Sequence, residues 1–402
     1  LGPDAQRARY SLSFAQHLLL AGRAFWFYPL KLVWPAGLAF SYPHWTLAAR
    51  DWTQWTWVVA ALGAAAAVWL NRERWGRGLA AALGFYAVTI APLLGFVSVY
   101  TFRFSFVADH YQYLASLGWI AAAVGGATRL LGPMRRLGAA LASAALLLLG
   151  VLTWRQGSLY LDSDTLWRDV LTKNPSSCLA HTNVGLALAE QGRLDEAIRH
   201  YRLALQAQPD SDWAHNNLGV ALVRQGRLEE AIRHYELALQ AMPVSALAHS
   251  NLGSALAQQG RLDEAIRHYE LALQAQPDCA AAHNNLGLAL AKLGRLDEAV
   301  RHYERALRTQ PDFAEAHANL GGVLAGRGDL KGALRHYSLA LRARPDFAEA
   351  HNNLGNVLAR SGRRDEALRH YELALRVQPD FALARANLRR LRNARDAASR
   401  PR

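Results

Sequence analysis

Apolar residues are distributed very differently in the two halves of the chain. In the N-terminal half, four stretches approach or reach the roughly 20 apolar residues that a helix needs to cross a bilayer. They are 52–70, 79–100, 113–131 and 137–154, and Arg129 is the one charged residue inside them. A weaker candidate, 12–34, is interrupted by His17, Arg23 and Lys31, so an amphipathic interfacial helix is its alternative. The pattern predicts several transmembrane helices within 1–155, against the alternative of buried helices in a large water-soluble α domain.

Arginines between these stretches predict the orientation of the chain. Three lie in 71–78 and three in 129–136, and cytoplasmic loops of membrane proteins are enriched in Lys and Arg. We therefore expect both loops to face the cytoplasm. Residues 101–112 and everything after residue 155 then lie on the extracytoplasmic side. The expected location is a bacterial inner membrane with a periplasmic C-terminal half.

The C-terminal half repeats with a period of 34 residues and without insertion or deletion. Gly185, Ala197, Tyr201 and Pro209 of the first unit recur at that step in five further units. This pattern is identified as the tetratricopeptide repeat (TPR), a helix–turn–helix unit of 34 residues. One unit cannot bury its apolar face alone, so stacked units are expected to form an α-solenoid, a right-handed superhelix of helix pairs.

The predicted fold is therefore all-α, with a multi-span transmembrane bundle followed by the solenoid. Residues 156–177 are the junction with a degenerate TPR helix, 178–381 hold six repeats, 382–395 form a capping helix, and 396–402 are a disordered tail. We name the first and second helix of each repeat helix A and helix B. A second glycine series, beginning at Gly192, is expected to end each helix A in the left-handed conformation that glycine adopts most easily.

Charge and histidine content exclude two classes of function. The first 160 residues carry 13 Lys and Arg against 4 Asp and Glu, so the net charge of +13 belongs mostly to the apolar half. Nucleic-acid-binding proteins concentrate one sign of charge on a soluble fold, so nucleic acid is not an expected partner. Twelve of the fifteen histidines occupy two repeat positions. Equivalent positions lie roughly 10 Å apart, too far to share a zinc ion that holds nitrogen at about 2.0–2.1 Å. No metal site and no cofactor are expected from them.

A column of asparagines on helix A is the main candidate binding site. In a TPR superhelix this face lines the concave groove, where carboxamides offer donors and acceptors to an extended peptide backbone. The column comprises Asn183, Asn217, Asn251, Asn285, Asn319, Asn353 and Asn387, and we place Asn284 and Asn352 on the same side. A protein or extended peptide is the expected partner, besides the lipid bilayer. The alternative is that these asparagines serve only the fold.

Two families resemble parts of the chain. The repeats, with their AHNNLG motif, are similar to those of the O-linked N-acetylglucosamine transferases. The stretch VADHYQYLASLG at 107–118 is similar to VADRYxYLPSLG of the transmembrane-and-TPR protein O-mannosyltransferases, and AGR at 21–23 with WPAGL at 34–38 adds a second match. These are GT-C-type enzymes that use polyprenyl-phosphate sugars. The resemblance implies that the chain is the C-terminal part of such a protein.

The outward loop beside 113–131 holds the candidate chemistry of the N-terminal half. Ionisable residues next to a membrane span are functional candidates, so Arg103, Asp109, His110 and Tyr111 are expected to meet a lipid phosphate or an acceptor. His110 stands where the O-mannosyltransferases have Arg. The alternative is an Asp–Arg pair that closes the loop.

Two functions from different classes remain open. The first is the C-terminal part of a protein O-glycosyltransferase whose TPRs present a protein acceptor, which requires a polyprenyl-phosphate sugar donor and admits a divalent metal. GT-C enzymes are expected to carry their catalytic carboxylate in an earlier loop, so no catalytic residue is assigned. The second is a membrane-tethered TPR scaffold for envelope assembly without chemistry.

Overall fold

The computed structural model describes residues 13–33, 45–75, 77–90 and 162–398, together with isolated positions between 117 and 154. All regular secondary structure in these segments is helical, as the sequence predicts. The chain forms two compact units, Leu1–Gln225 and Gly226–Arg402.

Four helices form the described N-terminal part of the first unit. They are α1 (Phe14–Val33), α2 (Thr56–Leu70, preceded by a 3₁₀ turn at Trp52–Trp55), α3 (Arg72–Trp75) and α4 (Arg77–Ile90). Helix α1 approaches α2 closely at Gly22, where an added Cβ would lie 2.7 Å from Val58 Cγ2. The hydroxyl of Tyr86 on α4 donates to the carbonyl of Phe25 on α1 at 2.7 Å. These contacts hold the helices together.

Within the described residues, the segment Trp52–Leu70 is the one helix long and apolar enough to cross a membrane. It has 19 residues and a mean hydropathy of 1.3, and none of its best window is buried. The helix Gly78–Thr89 is apolar but shorter. Most of 113–131 and 137–154, residues 91–100 and the loop carrying Arg103, Asp109, His110 and Tyr111 lie outside the described residues. The multi-span bundle therefore stays a prediction.

The six helix pairs begin where the 34-residue period places them. Their bounds are α6 (Cys178–Glu190), α7 (Leu194–Ala207), α8 (Asp212–Arg224), α9 (Leu228–Ala241), α10 (Ala246–Gln258), α11 (Leu262–Ala275), α12 (Ala280–Lys292), α13 (Leu296–Thr309), α14 (Ala314–Gly326), α15 (Leu330–Ala343), α16 (Ala348–Arg360) and α17 (Arg364–Val377). Serine N-caps start the first three A helices, each accepting a hydrogen bond from a backbone N–H three residues on. The expected glycine C-caps are confirmed, since Gly192 and its five equivalents have φ between +76° and +85°.

Single helices flank the repeats at both ends. Helix α5 (Ser163–Lys173) packs against α6 with Val170 fully buried, which confirms a helix at the predicted junction. Helix α18 (Ala382–Ala398) is the predicted cap, but it runs three residues past 395, so 396–398 are helical and not part of a disordered tail. Leu388 is buried whereas Leu383 is 55% exposed, so Leu383 does not belong to the packed side of the cap.

A glycine and a tyrosine hold the two helices of a repeat together. In the sixth repeat, an added Cβ on Gly355 would lie 2.6 Å from Cε1 of Tyr371, and Gly185 and Tyr201 repeat this contact in the first. The tyrosine rings are almost completely buried. Only a residue without a side chain allows helix A to approach the ring this closely.

Candidate functional site

The second unit carries five of the predicted column asparagines on consecutive A helices. Asn251, Asn285, Asn319 and Asn353 on α10, α12, α14 and α16 are partly exposed, and Asn387 on the cap is buried. In the first unit, Asn183 and Asn217 lie on α6 and α8. Asn183 donates to the carbonyl of Leu179 in its own helix at 2.8 Å. The Nδ2 group of Asn217 is buried without a hydrogen-bond partner in the described part of the chain.

Two of the column asparagines bond to the neighbouring repeat. Asn319 Nδ2 donates to Asn284 Oδ1 at 2.9 Å, and Asn387 Nδ2 donates to Asn352 Oδ1 at 2.9 Å. The placement of Asn284 and Asn352 on the groove side was wrong, because both side chains are buried and their oxygens receive these bonds. The fold therefore uses Asn319 and Asn387, since a buried carboxamide needs a partner.

Asn285 and Asn353 keep their donors available. Their oxygens accept from Asn284 at 3.3 Å and from Asn352 at 3.2 Å. Across the segments that the structure describes, no residue accepts a hydrogen bond from either Nδ2 group, and both side chains are partly exposed. Two carboxamide donors, two repeats apart on the same face of the second unit, are therefore free for a ligand.

Positive charge and apolar side chains border these asparagines. Lys292 and Arg360 end α12 and α16 and are exposed. Arg360 also donates to the carbonyl of Ala325 at the end of α14, at 2.9 Å. Leu247 and Leu288, on α10 and α12, are 60% and 39% exposed. The surface thus offers hydrogen-bond donors, cations and apolar contacts to one ligand.

Histidines of helix A and helix B pair within a repeat, which the sequence analysis missed. The Nδ1 atoms of the pair lie 3.0 Å apart in the first, third, fourth, fifth and sixth repeats: His181–His200, His249–His268, His283–His302, His317–His336 and His351–His370. The comparison of equivalent positions in successive repeats overlooked them, because the partners stand 19 residues apart inside one repeat. That constant spacing was the available signal.

The surrounding bonds fix the tautomers of the neutral pair. Nε2 of each helix-A histidine lies 2.9–3.1 Å from a proline carbonyl, as for His283 and Pro277. A carbonyl only accepts, so Nε2 carries the hydrogen and Nδ1 of the same ring accepts from the helix-B histidine. Burial lowers the pKa of both histidines, and in the fourth repeat the neighbouring His283 and arginines help to lower the pKa of His302 to about 4. The pairs are therefore neutral at pH 7.

Residues 13–33, 45–75, 77–90 and 162–398 contain no cluster of three or more His, Cys, Asp or Glu that could hold a metal ion.

Comparison with known protein families matches the C-terminal half. Three family models, all described as tetratricopeptide repeat, match residues 176–243 and 244–312, 284–346, and 348–381. Together they cover about half of the chain.

The curated relatives resemble a smaller part of the chain. Protein O-mannosyl-transferase TMTC1 of Mus musculus and of Homo sapiens are each 34% identical over 110 residues, which is 26% of this chain. The alignment spans 12% of the length of those proteins.

Solved structures share the helical repeat fold. The APC/C hetero-tetramer Cut9–Hcn1 matches with a TM-score of 0.53 at 20% identity, covering 58% of this chain and 45% of that chain. The Pseudomonas aeruginosa protein pilF matches with a TM-score of 0.49 at 21% identity, covering 54% of this chain and 97% of that chain.

Proposed function

The chain belongs, through residues 176–381, to the tetratricopeptide repeat proteins, and we propose that the asparagine face of its A helices binds an extended segment of a protein partner. The available carboxamide donors of Asn285 and Asn353 carry this proposal. Side-chain amides can bond the backbone carbonyls of an extended peptide whatever its sequence. Exposed Leu247 and Leu288 add apolar contacts on the neighbouring helices.

Replacing both asparagines tests the proposal without disturbing the repeats. In Asn285→Ala/Asn353→Ala, each lost side chain accepts only one long hydrogen bond from an adjacent asparagine. A neutral hydrogen bond contributes about 0.5–1.5 kcal/mol net, so the loss of two should weaken peptide binding about tenfold or more. We would select binders for the full chain from a phage-displayed library of random 12-residue peptides. Their affinities would be measured by fluorescence polarisation.

The matched control replaces exposed cations on helix B. Arg267→Ala/Arg301→Ala changes two exposed side chains of the same unit and should leave peptide affinity within twofold. Equal losses in both double variants, or a library that yields no binder, would refute binding at the asparagine face.

We further propose that the chain is anchored in a membrane. The apolar segment Trp52–Leu70 supports this, because none of its best window is buried and Val59 and Leu62 are each 67% exposed. Exposed apolar surface of this kind suits a lipid environment. The arginine distribution favours an extracytoplasmic position for the repeats.

A second candidate function is transfer of a sugar to protein. The 34% identity with Protein O-mannosyl-transferase TMTC1 favours it, together with the VADHYQYLASLG stretch. In that case the TPR face would present the acceptor, and Asp109 with Arg103 would act near the lipid-linked donor. Membranes that contain the chain would be given radiolabelled polyprenyl-phosphate mannose. We expect label in protein, lost in Asp109→Asn. No label with the unmodified chain would leave the binding scaffold as the function.

A further inference from the structure

The groove face has a notch in the fifth repeat. Asn319, Gly322 and Gly326 follow one another at helical spacing on α14 and share one face of the helix. An added Cβ on Gly326 would meet no atom within 4 Å, and one on Gly322 would meet only the hydroxyl of Tyr337, at 3.5 Å. Packing therefore does not require glycine at either position. Glycine is nevertheless less favourable than alanine inside a helix.

The floor of the notch is an unsatisfied hydroxyl. Tyr337 is 2% exposed, and in the described segments its hydroxyl has no hydrogen-bond partner. The equivalent tyrosines of the third and sixth repeats donate to the helix-A residue that corresponds to Gly322. Tyr269 donates to Ser254 at 3.1 Å, and Tyr371 donates to Asn356 at 2.8 Å. Glycine at 322 removes this partner, so a buried donor points to an open space.

The chemistry around the notch selects an anionic acceptor. Burial raises the pKa of Tyr337 to about 12, so its hydroxyl remains a donor at physiological pH. Lys292 and Arg360 occupy, in the adjacent A helices, the position that Gly326 has in α14. The nearest acidic groups of the A helices are Glu315 and Glu349 at the opposite helix ends, 11 residues or about 16 Å along the axis. Glu315 is also paired with Arg344.

We infer that the notch formed by Gly322, Gly326 and Tyr337 receives an Asp or Glu side chain of the extended partner. Its carboxylate accepts the hydrogen bond of the Tyr337 hydroxyl and lies between the cations of Lys292 and Arg360. A bond between a neutral donor and a carboxylate is stronger than one between neutral groups. This inference rests on the proposed peptide-binding function and adds the charge and position of the residue that is recognised.

Three substitutions test the notch, and two of them copy residues that other repeats already hold at this position. Gly322→Leu introduces the residue found at 186 and 288, and Gly322→Ser introduces the one found at 254. Tyr337→Phe removes only the hydroxyl. The probes are the library-selected 12-residue peptides, each compared with a version in which its acidic residue is changed to the neutral amide. We expect Gly322→Leu to lower affinity at least tenfold while the thermal unfolding midpoint stays equal or rises.

The peptide change and the Tyr337→Phe change should not add. In the unmodified chain, Glu→Gln in the peptide should cost at least fivefold in affinity, and in Tyr337→Phe this cost should shrink to less than twofold. Gly322→Ser, which offers the hydroxyl an internal partner, should fall between the two. Peptides that lose affinity in Asn285→Ala/Asn353→Ala but bind Gly322→Leu and Tyr337→Phe normally would overturn the notch and leave the groove intact. Selected peptides without an acidic residue would also overturn it, and failure of the asparagine variants would remove both.

Discussion

Acidification from pH 7 to pH 4.5 is expected to destabilise the repeat region strongly. Burial lowers the pKa of the paired histidines below the value of about 6.5 that an unfolded chain gives them, as for His181, His249 and His351. Between the two values the unfolded state binds more protons than the folded state. The free energy of unfolding therefore falls as the pH drops below 6.5, and the contribution is fully present only above that value.

The expected effect is large because the same histidines recur along the array. One buried histidine whose folded pKa lies one unit below 6.5 loses about 1.4 kcal/mol. Four of them would remove about 5 kcal/mol, which equals the whole stability of a marginal domain. Urea unfolding of the full chain at pH 7, 6, 5 and 4.5, followed by circular dichroism, measures the slope. This window lies above the range in which Glu264 and Glu298 titrate, because their arginine partners lower the pKa of these carboxyls.

A single pair provides the matched control. His302→Gln keeps an amide donor near Nδ1 of His283 but removes a titrating group, so stability should depend less on pH. NMR titration of the ring C–H protons should show the helix-A histidines neutral down to about pH 5. Midpoints that do not change between pH 7 and 4.5 would contradict this account of the pairs.

Alanine at Gly355 is expected to destabilise the sixth repeat, although alanine is the better helix former. The new methyl group would lie 2.6 Å from Cε1 and 2.9 Å from Cδ1 of the buried Tyr371 ring. Separating the two helices to relieve this overlap should cost about 1–3 kcal/mol. Thermal unfolding of the full chain, followed by circular dichroism, should show a lower midpoint for the sixth repeat.

Two other glycines of the same kind of helix calibrate this result. Gly326→Ala places its methyl in open space and should stabilise α14 by up to about 1 kcal/mol. Gly321→Ala, 3.2 Å from the Tyr337 ring, should lie between the two. If all three substitutions raised the midpoint, the close contact between glycine and tyrosine would not be what holds the helices together.

The sequence predicted the repeat helices well because each one carries several independent signals. Gly192 and its equivalents, the prolines and the buried tyrosines all recur at 34 residues, so one assignment fixes six. The 34-residue period could not show that Asn319 bonds to Asn284, since that bond depends on the orientation of side chains in neighbouring repeats. The histidine pairs escaped for a related reason, because helix A and helix B meet only after the turn has formed. The predicted spans beyond Ile90, and the loop with Asp109, stay predictions.

Contacts between neighbouring repeats follow the same register wherever they occur. Gln225 and Asp195 in the first unit, and Gln259 and Glu229 in the second, are bonded across 30 residues, and Arg327 pairs with Asp297 at the same interval. A gene rearrangement that duplicates or deletes one complete unit would therefore join surfaces that already fit each other. Such an array can change its length during evolution without new contacts at the junction, and the length of partner that it accommodates would change in equal steps.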